Sequence, residues 1–372
     1  MKKCLASLAL LATAATLPGT VSAATHPVLQ PGTFKPVFLV GPKHNIPAYH
    51  NPSAQLPQWN GSFTDLKGNK ITFTQIGGDP SKTNATSTIK LLIIPIKMVY
   101  GKTNGNMTFD PMTQVVFRGR TVVQNFLKSP LFGRQGALID YNQGGTDLGN
   151  TQYEDAFQRG TWWGNDVSAN TSYHVIYKTK IEPEQTINVT AAEGSVISNP
   201  FGSGVVGTFG SAFGVFDPIL QGFMKSLTDV NPGVLPVFIT YDIYLTSGGC
   251  CIGGYHDANG GQPGGQTYSY ATYVDSKGAF SQDVSAWTHE LGEWMDDPFI
   301  DNHVNCNDNS IMEVGDPLEG GPNYGAYPYK LHGFTYNLQS LVFMGYFGAP
   351  RTDSVNQWLA FQNDENNVCP GQ

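Results

Sequence analysis

The chain has 372 residues, 43 of them Gly and 24 Pro, and only 13% are charged. Gly and Pro together make up about 18% against a usual share of about 12%, and charged residues are about half as frequent as in an ordinary soluble protein, which excludes a long helical bundle or coiled coil. The 12% aromatic and 40% hydrophobic content excludes a disordered tail and suffices for a sizeable core, and a net charge of −8 without a basic patch excludes an ordinary nucleic-acid binder.

In chain order, Lys2 and Lys3 form a positive start, LASLALLATAATL is a short apolar run, and Val21-Ser22-Ala23 offers small residues at a cleavage point. Residues 1–23 are expected to be a signal peptide, because the run is shorter than the about 20 residues a membrane span needs. The protein is then secreted, extracellular and without a membrane anchor. Residues 24–85 read as an irregular N-terminal arm or propeptide-like segment, followed by one domain over 86–372. TIKLLIIPIKMVY (88–100) reads as a central strand, with Pro95 moving it toward an edge. Helices are expected over 119–128 and 151–163, the second amphipathic, with Trp162 and Trp163 near its end. YHVIYKTKI (173–181) and QTINVTA (185–191) alternate as strands do. SNPFGSGVVGTFGSAFG (198–214) reads as a flexible loop without GxGxxG spacing. Asp217-Pro218 opens a helix over 216–230, and a strand follows over 234–245. Residues 246–282, with Cys250, Cys251 and His256, read as a long Gly-rich loop, either a substrate-facing lid or a pinned surface loop. The expected fold class is α+β and loop-rich.

The chemistry concentrates in DVSAWTHELGEWMDDPFIDN (283–302). Asp283 or Ser285 can cap a helix that Pro298 ends. His289 and Glu293 are four residues apart and share a face, with Glu290 offset by about 100°. Such a helix can offer a nitrogen and a carboxylate oxygen to one metal ion and leave Glu290 to hold a water. This is the arrangement of the HExxH zinc hydrolases with Glu293 in place of the second His. In the following IMEVGDPLEGG, Asp316 is suited to be the third ligand; Asp296, seven residues after His289, is the alternative. Glu313 is expected to ligate or to hold a ligand in place. His303, His256 and Tyr336 are candidate contacts to the reacting groups, Tyr336 as a donor to an oxyanion. Trp287 and Trp294 are expected to seat the helix on the core. Ten of the 29 acidic residues fall between Asp283 and Glu319, with no Lys or Arg among them. Without the leader, Cys250, Cys251, Cys306 and Cys369 remain, an even number that suggests two disulfides, with long-range pairing favoured over a vicinal bond.

WTHELGEWMDDPF followed by EVGDP, then HGFTYNLQSLVFMGYF and a terminal Cys, resembles a family of secreted microbial proteins with a zincin-like, metallopeptidase-type fold. CCIGGYH and TQYEDAFQRGTWW are also similar, and the resemblance extends over roughly residues 85–369. Thr288 stands where that family often has Ser, and Ser340 where it has Asp. The resemblance implies His289, Glu293 and Asp316 as zinc ligands, Glu290 as general base, and a peptide or protein substrate met by a monomer. Two other readings fit the composition: a non-catalytic zincin-like protein holding calcium, which prefers many oxygen ligands, and a carbohydrate- or cell-surface-binding protein. A serine hydrolase is disfavoured, since no G-x-S-x-G surrounds a nucleophile.

Overall fold

The computed structural model describes residues 37–339, apart from residues 66, 134–138, 144–145, 163–166, 168–171, 248, 261–264, 278, 280, 305–310, 314 and 317–325. The expected signal peptide, Trp163, Cys306, Ser340 and Cys369 lie outside the described residues. The elements are β1 (Val37–Val40), a hairpin of β2 (Gln58–Thr64) and β3 (Lys70–Ile76), β4 (Thr86–Tyr100), β5 (Thr108–Phe109), α1 (Val122–Phe126) and α2 (Tyr153–Thr161). There follow β6 (His174–Ile181), β7 (Gln185–Val189), β8 (Val196–Ser198), β9 (Val205–Phe209), α3 (Asp217–Ser226), β10 (Leu235–Tyr241) and β11 (Ile243–Thr246). The described chain ends with β12 (Cys250–Asn259), β13 (Gln266–Tyr273), α4 (Ser285–Asp296) and a hairpin of β14 (Ala326–Leu331) and β15 (Phe334–Gln339).

Among the described residues, eleven strands form one mixed sheet in the order β6-β4-β10-β13-β12-β11-β9-β8, with β1 added beside β12 and with β5 and β7 beside β4. The chain is therefore α+β. Strand β4 is interior, so Pro95 does not move it to an edge. The carbonyl of Ile93 accepts from the Glu182 N–H, which turns odd-numbered positions of β4 toward β6 and β7. On that side β6 ends opposite Ile93 and β7 begins opposite Ile96. Pro95 falls in the gap between them, where a missing N–H deprives no partner.

Residues 246–282, expected to be a long loop, instead form β12 and β13 in the middle of the sheet. Both strands are buried along almost their whole length, because helices cover both faces. In β13, Tyr268 and Tyr270 point to the start of α3: Tyr268 donates to Asp217 Oδ1 at 2.7 Å and Tyr270 meets the Phe216 ring edge-on just before the helix. The alternate residues Thr267, Ser269 and Ala271 face α4, where the Trp294 indole donates to Thr267 Oγ1 at 3.0 Å. Gly254 lies across from Ala271. A face of small side chains lets α4 lie close on the sheet. Residues 198–214 likewise contain a strand, β9, where a flexible loop was expected.

The remaining helices are shorter than their patterns suggested. α1 has five residues, held by a reciprocal capping box between Thr121 and Gln124. α2 is not amphipathic in its surroundings, since Tyr153 to Arg159 are all buried. The N-terminal arm is built into the fold where it is described. β1 runs parallel to β12, and the Gly41 and His44 N–H groups donate to the His256 and Ala258 carbonyls. Cys250 and Cys251 are neighbours at the start of β12 with Cα atoms 3.1 Å apart, outside the 4.4–6.8 Å span of ordinary disulfides.

Trp287 and Trp294 are fully buried on α4, Trp287 against Phe126 with ring centroids 5.3 Å apart. Replacing Trp294 by Ala removes its own buried packing, including the Tyr177 ring, and the bond to Thr267. A loss of about 3–5 kcal/mol of stability is expected, read as a lower urea midpoint at unchanged slope.

Candidate metal centre

α4 begins without a side-chain cap on its own N-terminus. Asp283, expected as the cap, has a left-handed φ of 41°. Its carboxylate accepts from the Asn337 N–H and Nδ2, tying β15 to the helix start. The helix ends at Asp297, whose Oδ1 accepts from the Asp301 and Asn302 N–H groups. Every residue of α4 is buried, including His289, Glu290, Glu293 and Asp296. Burying this many ionisable groups is costly unless something satisfies them.

His289 and Glu293 meet on one face, with Nε2 3.1 Å from Oε2. The EVGD turn closes on the same point: Asp316 Oδ1 lies 3.3 Å from His289 Nε2, and the Gly315 N–H donates to Glu293 Oε1 at 3.1 Å. A Cβ on Gly315 would stand 2.8 Å from the imidazole, so only glycine allows this approach. His289 Nδ1 lies 2.5 Å from the Gln339 side-chain carbonyl oxygen Oε1, an acceptor, which puts a ring proton on Nδ1 and leaves Nε2 facing the two carboxylates. Gln339 is itself fixed, its N–H donating to Thr288 Oγ1 and its carbonyl accepting from the Tyr153 hydroxyl. Phe38 of β1 covers the His289 ring at 4.2 Å. The Asp316 side chain is 15% exposed and that of His289 1%, so the cluster opens to solvent beside Asp316.

Glu290 projects toward β12, where Gly254 makes room: a Cβ there would lie 2.8 Å from Oε1. Glu290 Oε2 is 3.5 Å from His256 Nδ1, and His256 Nε2 is 3.7 Å from Glu313 Oε1 and 3.3 Å from the Asp297 carbonyl. Two sets of ligand atoms each converge within 4.8 Å: His289, Glu290 and Glu293, and His256, Glu293 and Glu313. His289 Nε2 and Asp316 Oδ1 have no hydrogen-bond partner of good geometry among the described residues. Two such atoms 3.3 Å apart suit an ion bound at about 2.0–2.2 Å from each, as zinc is by imidazole and carboxylate.

Burial alone would push the His289 imidazole down, but the Glu293, Asp316 and Glu290 carboxylates overcome it and raise it well above its usual value. Burial also opposes the charge on Glu293, yet His289 holds that carboxyl below the ordinary range. Asp316 is raised to about 6 by burial and the Glu293 charge. Glu313 is raised well above the usual range by burial, then by the charges of Glu293, Asp297 and Asp316. His256 is lowered to about 4, chiefly by burial, so its ring is neutral at pH 7.

His289, Glu290, Glu293, Glu313 and Asp316 thus come together as expected. Asp296 does not join them: its carboxylate accepts from the Trp162 indole at 2.7 Å and from Thr161, anchoring α4 to α2. Tyr336 is no oxyanion donor, since its hydroxyl donates to the Asn125 carbonyl at 2.9 Å. His303 is exposed and lines an open surface cavity with Asn60, Lys70 and Asp301. Gln339, Phe38 and Glu154 were missed, and His256 was expected as a loop residue or a contact to the reacting groups, not as a strand residue beside Glu290 and Glu313. Glu154 is fully buried on α2 near Gly292, with burial and Asp296 raising its carboxyl well above the usual range. The readable signal for His256 was the alternation of small and large residues in GGYHDA and TYSYAT.

No family model, curated protein or solved structure matches the chain.

Two measurements probe this centre. Gly315→Ala should push the turn off His289 and weaken metal retention, read as at least tenfold easier removal by a chelator. The second concerns pH. Burial raises Asp242 to about 8 and Asp257 and Asp283 to about 7. Each keeps its proton in the folded chain while the unfolded chain has released it, so stability falls as pH rises from about 4 to each raised value. His256 works the other way between about 4 and 6.5. With chelator present, the melting temperature should be lower at pH 8 than at pH 5.

Proposed function

We propose that the protein is a secreted, zinc-dependent hydrolase of zincin-like fold, acting on peptide or protein substrates. The observation that carries this reading is the convergence of ligand atoms of His289, Glu290 and Glu293 on one buried helix, with Asp316 Oδ1 3.3 Å from His289 Nε2. His289, Glu293 and Asp316 would hold the ion. When bound, zinc supplies a polarised water and a Lewis acid for the scissile carbonyl.

The chain's own residues do the rest. Gln339 fixes the Nδ1 proton of His289 and aims Nε2 at the centre. Gly315 N–H steadies the Glu293 oxygen that faces away from His289. Glu290 accepts a proton from the attacking water and returns it to the leaving amine. Its carboxylate is held between Gly254 and His256, where it has little freedom to turn away. Two carboxylates and one imidazole neutralise more of a divalent charge than two imidazoles and a carboxylate do. The bound water is then less acidic, and turnover slower than in HExxH enzymes.

The purified protein should contain zinc and cleave a peptide library, and Glu290→Gln should keep the metal while cleavage drops by about 10²–10⁴-fold. Equal cleavage by the two proteins would sink the mechanism. The surplus of buried carboxylates favours one other reading, a non-catalytic calcium-binding protein. Calcium without zinc in the purified protein, together with no cleavage, would establish that reading instead.

A further inference from the structure

We infer that His256, Glu313 and Glu293 form a second divalent-cation position, with Glu293 shared between it and the position at His289. The inference deepens the reading above and rests on it. Glu293 belongs to both converging sets of ligand atoms. Its Oε2 faces His289, and its other oxygen lies on the Gly315 side. Glu313 is fully buried, and neither of its oxygens has a hydrogen-bond partner among the described residues. A buried carboxylate in that state either keeps a proton or faces a cation. Its neighbour His256 is also fully buried, with Nε2 toward both Glu313 Oε1 and the Asp297 carbonyl. With the His256 proton on Nδ1, toward Glu290, two carboxylate oxygens and Nε2 would turn their lone pairs to one spot. The other ring nitrogen, Nδ1, is on the Glu290 side, the carboxylate–histidine arrangement that commonly orients a metal-bound imidazole.

Charge supports the same conclusion. Glu290, Glu293, Glu313 and Asp316 bring four carboxylates to one buried volume. A single divalent ion leaves that volume two charges negative, and a second ion balances it. The ligand set of one imidazole, two carboxylates and a carbonyl oxygen suits zinc or manganese. A carboxylate shared between positions matches centres whose ions lie about 3.5–4 Å apart.

The test is a titration of the full chain, stripped with chelator, with zinc and separately with manganese. Bound metal is counted after gel filtration, and the manganese form is followed by electron paramagnetic resonance. The wild type should bind two ions per chain, with a spin-coupled manganese signal. Glu313→Gln and His256→Ala should each bind one and show an uncoupled signal. One ion in the wild type, unchanged by Glu313→Gln, would overturn the second position, leave the first intact, and mean that Glu313 keeps its proton. No ion in the wild type would overturn both. The spin-coupled manganese signal of the wild type, which requires two neighbouring ions, decides even if a variant fails to fold; two ions without coupling would overturn the shared position.

Discussion

Four carboxylates and two imidazoles share a buried space between α4, β12 and the turn at Glu313–Asp316, and like charges in such a space repel strongly. The rest of the structure is arranged around that constraint. Two neighbouring acids outside the cluster have donors: Asp296 takes the Trp162 indole and Asp283 takes Asn337. Within the cluster, among the described residues, the imidazoles stand as counter-groups to the carboxylates, and His256 is kept neutral by its burial. An organisation of this kind is poorly explained by stability alone, because well-packed apolar residues would fill the same volume at less cost.

Close approach is the second condition. A helix carrying Glu290 can rest on β12 only because Gly254 and Ala271 leave space under it. The EVGD turn can reach the His289 ring only because residue 315 has no side chain. Gly292, inside α4, passes Phe157 and Glu154 of α2 in the same way, with 2.9 Å left for a Cβ to the Phe157 ring. The high glycine content of the chain is thus partly a packing device around one helix. Tyr268 and Tyr270 of β13 lie on the opposite face, where Tyr268 reaches Asp217, and Tyr273 on the near face comes only at the strand's end, where it accepts from Asn125.

How much of this was legible in the sequence depended on periodicity. β4, β6, β7, α3 and α4 have clear patterns and lie close to where those patterns put them. β12 and β13 were hidden because both faces are covered, so polarity does not alternate along them; only size does. Pro95 misled because the gap between β6 and β7 that absorbs it is a property of strands 80 or more residues away. At the centre, the spacing of His289, Glu290 and Glu293 follows from helix geometry and was readable. The partners that orient them were not. Gln339, Phe38 and His256 reach the helix through tertiary packing, which no local pattern encodes. Asp296 and Tyr336 shared the right neighbourhood in sequence, but their polar atoms are taken by Trp162 and Asn125.

The parallel pairing of β1 with β12 has a consequence for how the protein is made. Phe38 covers His289 and Gln339 fixes it, so the centre is stitched from segments near both ends of the described chain. Contacts so distant in sequence form late, because loop closure must precede any gain from them. During synthesis β1 must wait, unpaired, until β12 has emerged. The arrangement of the cluster therefore arises only when folding is nearly complete, and a truncated chain carrying α4 alone would hold its acidic residues without the surroundings that orient them.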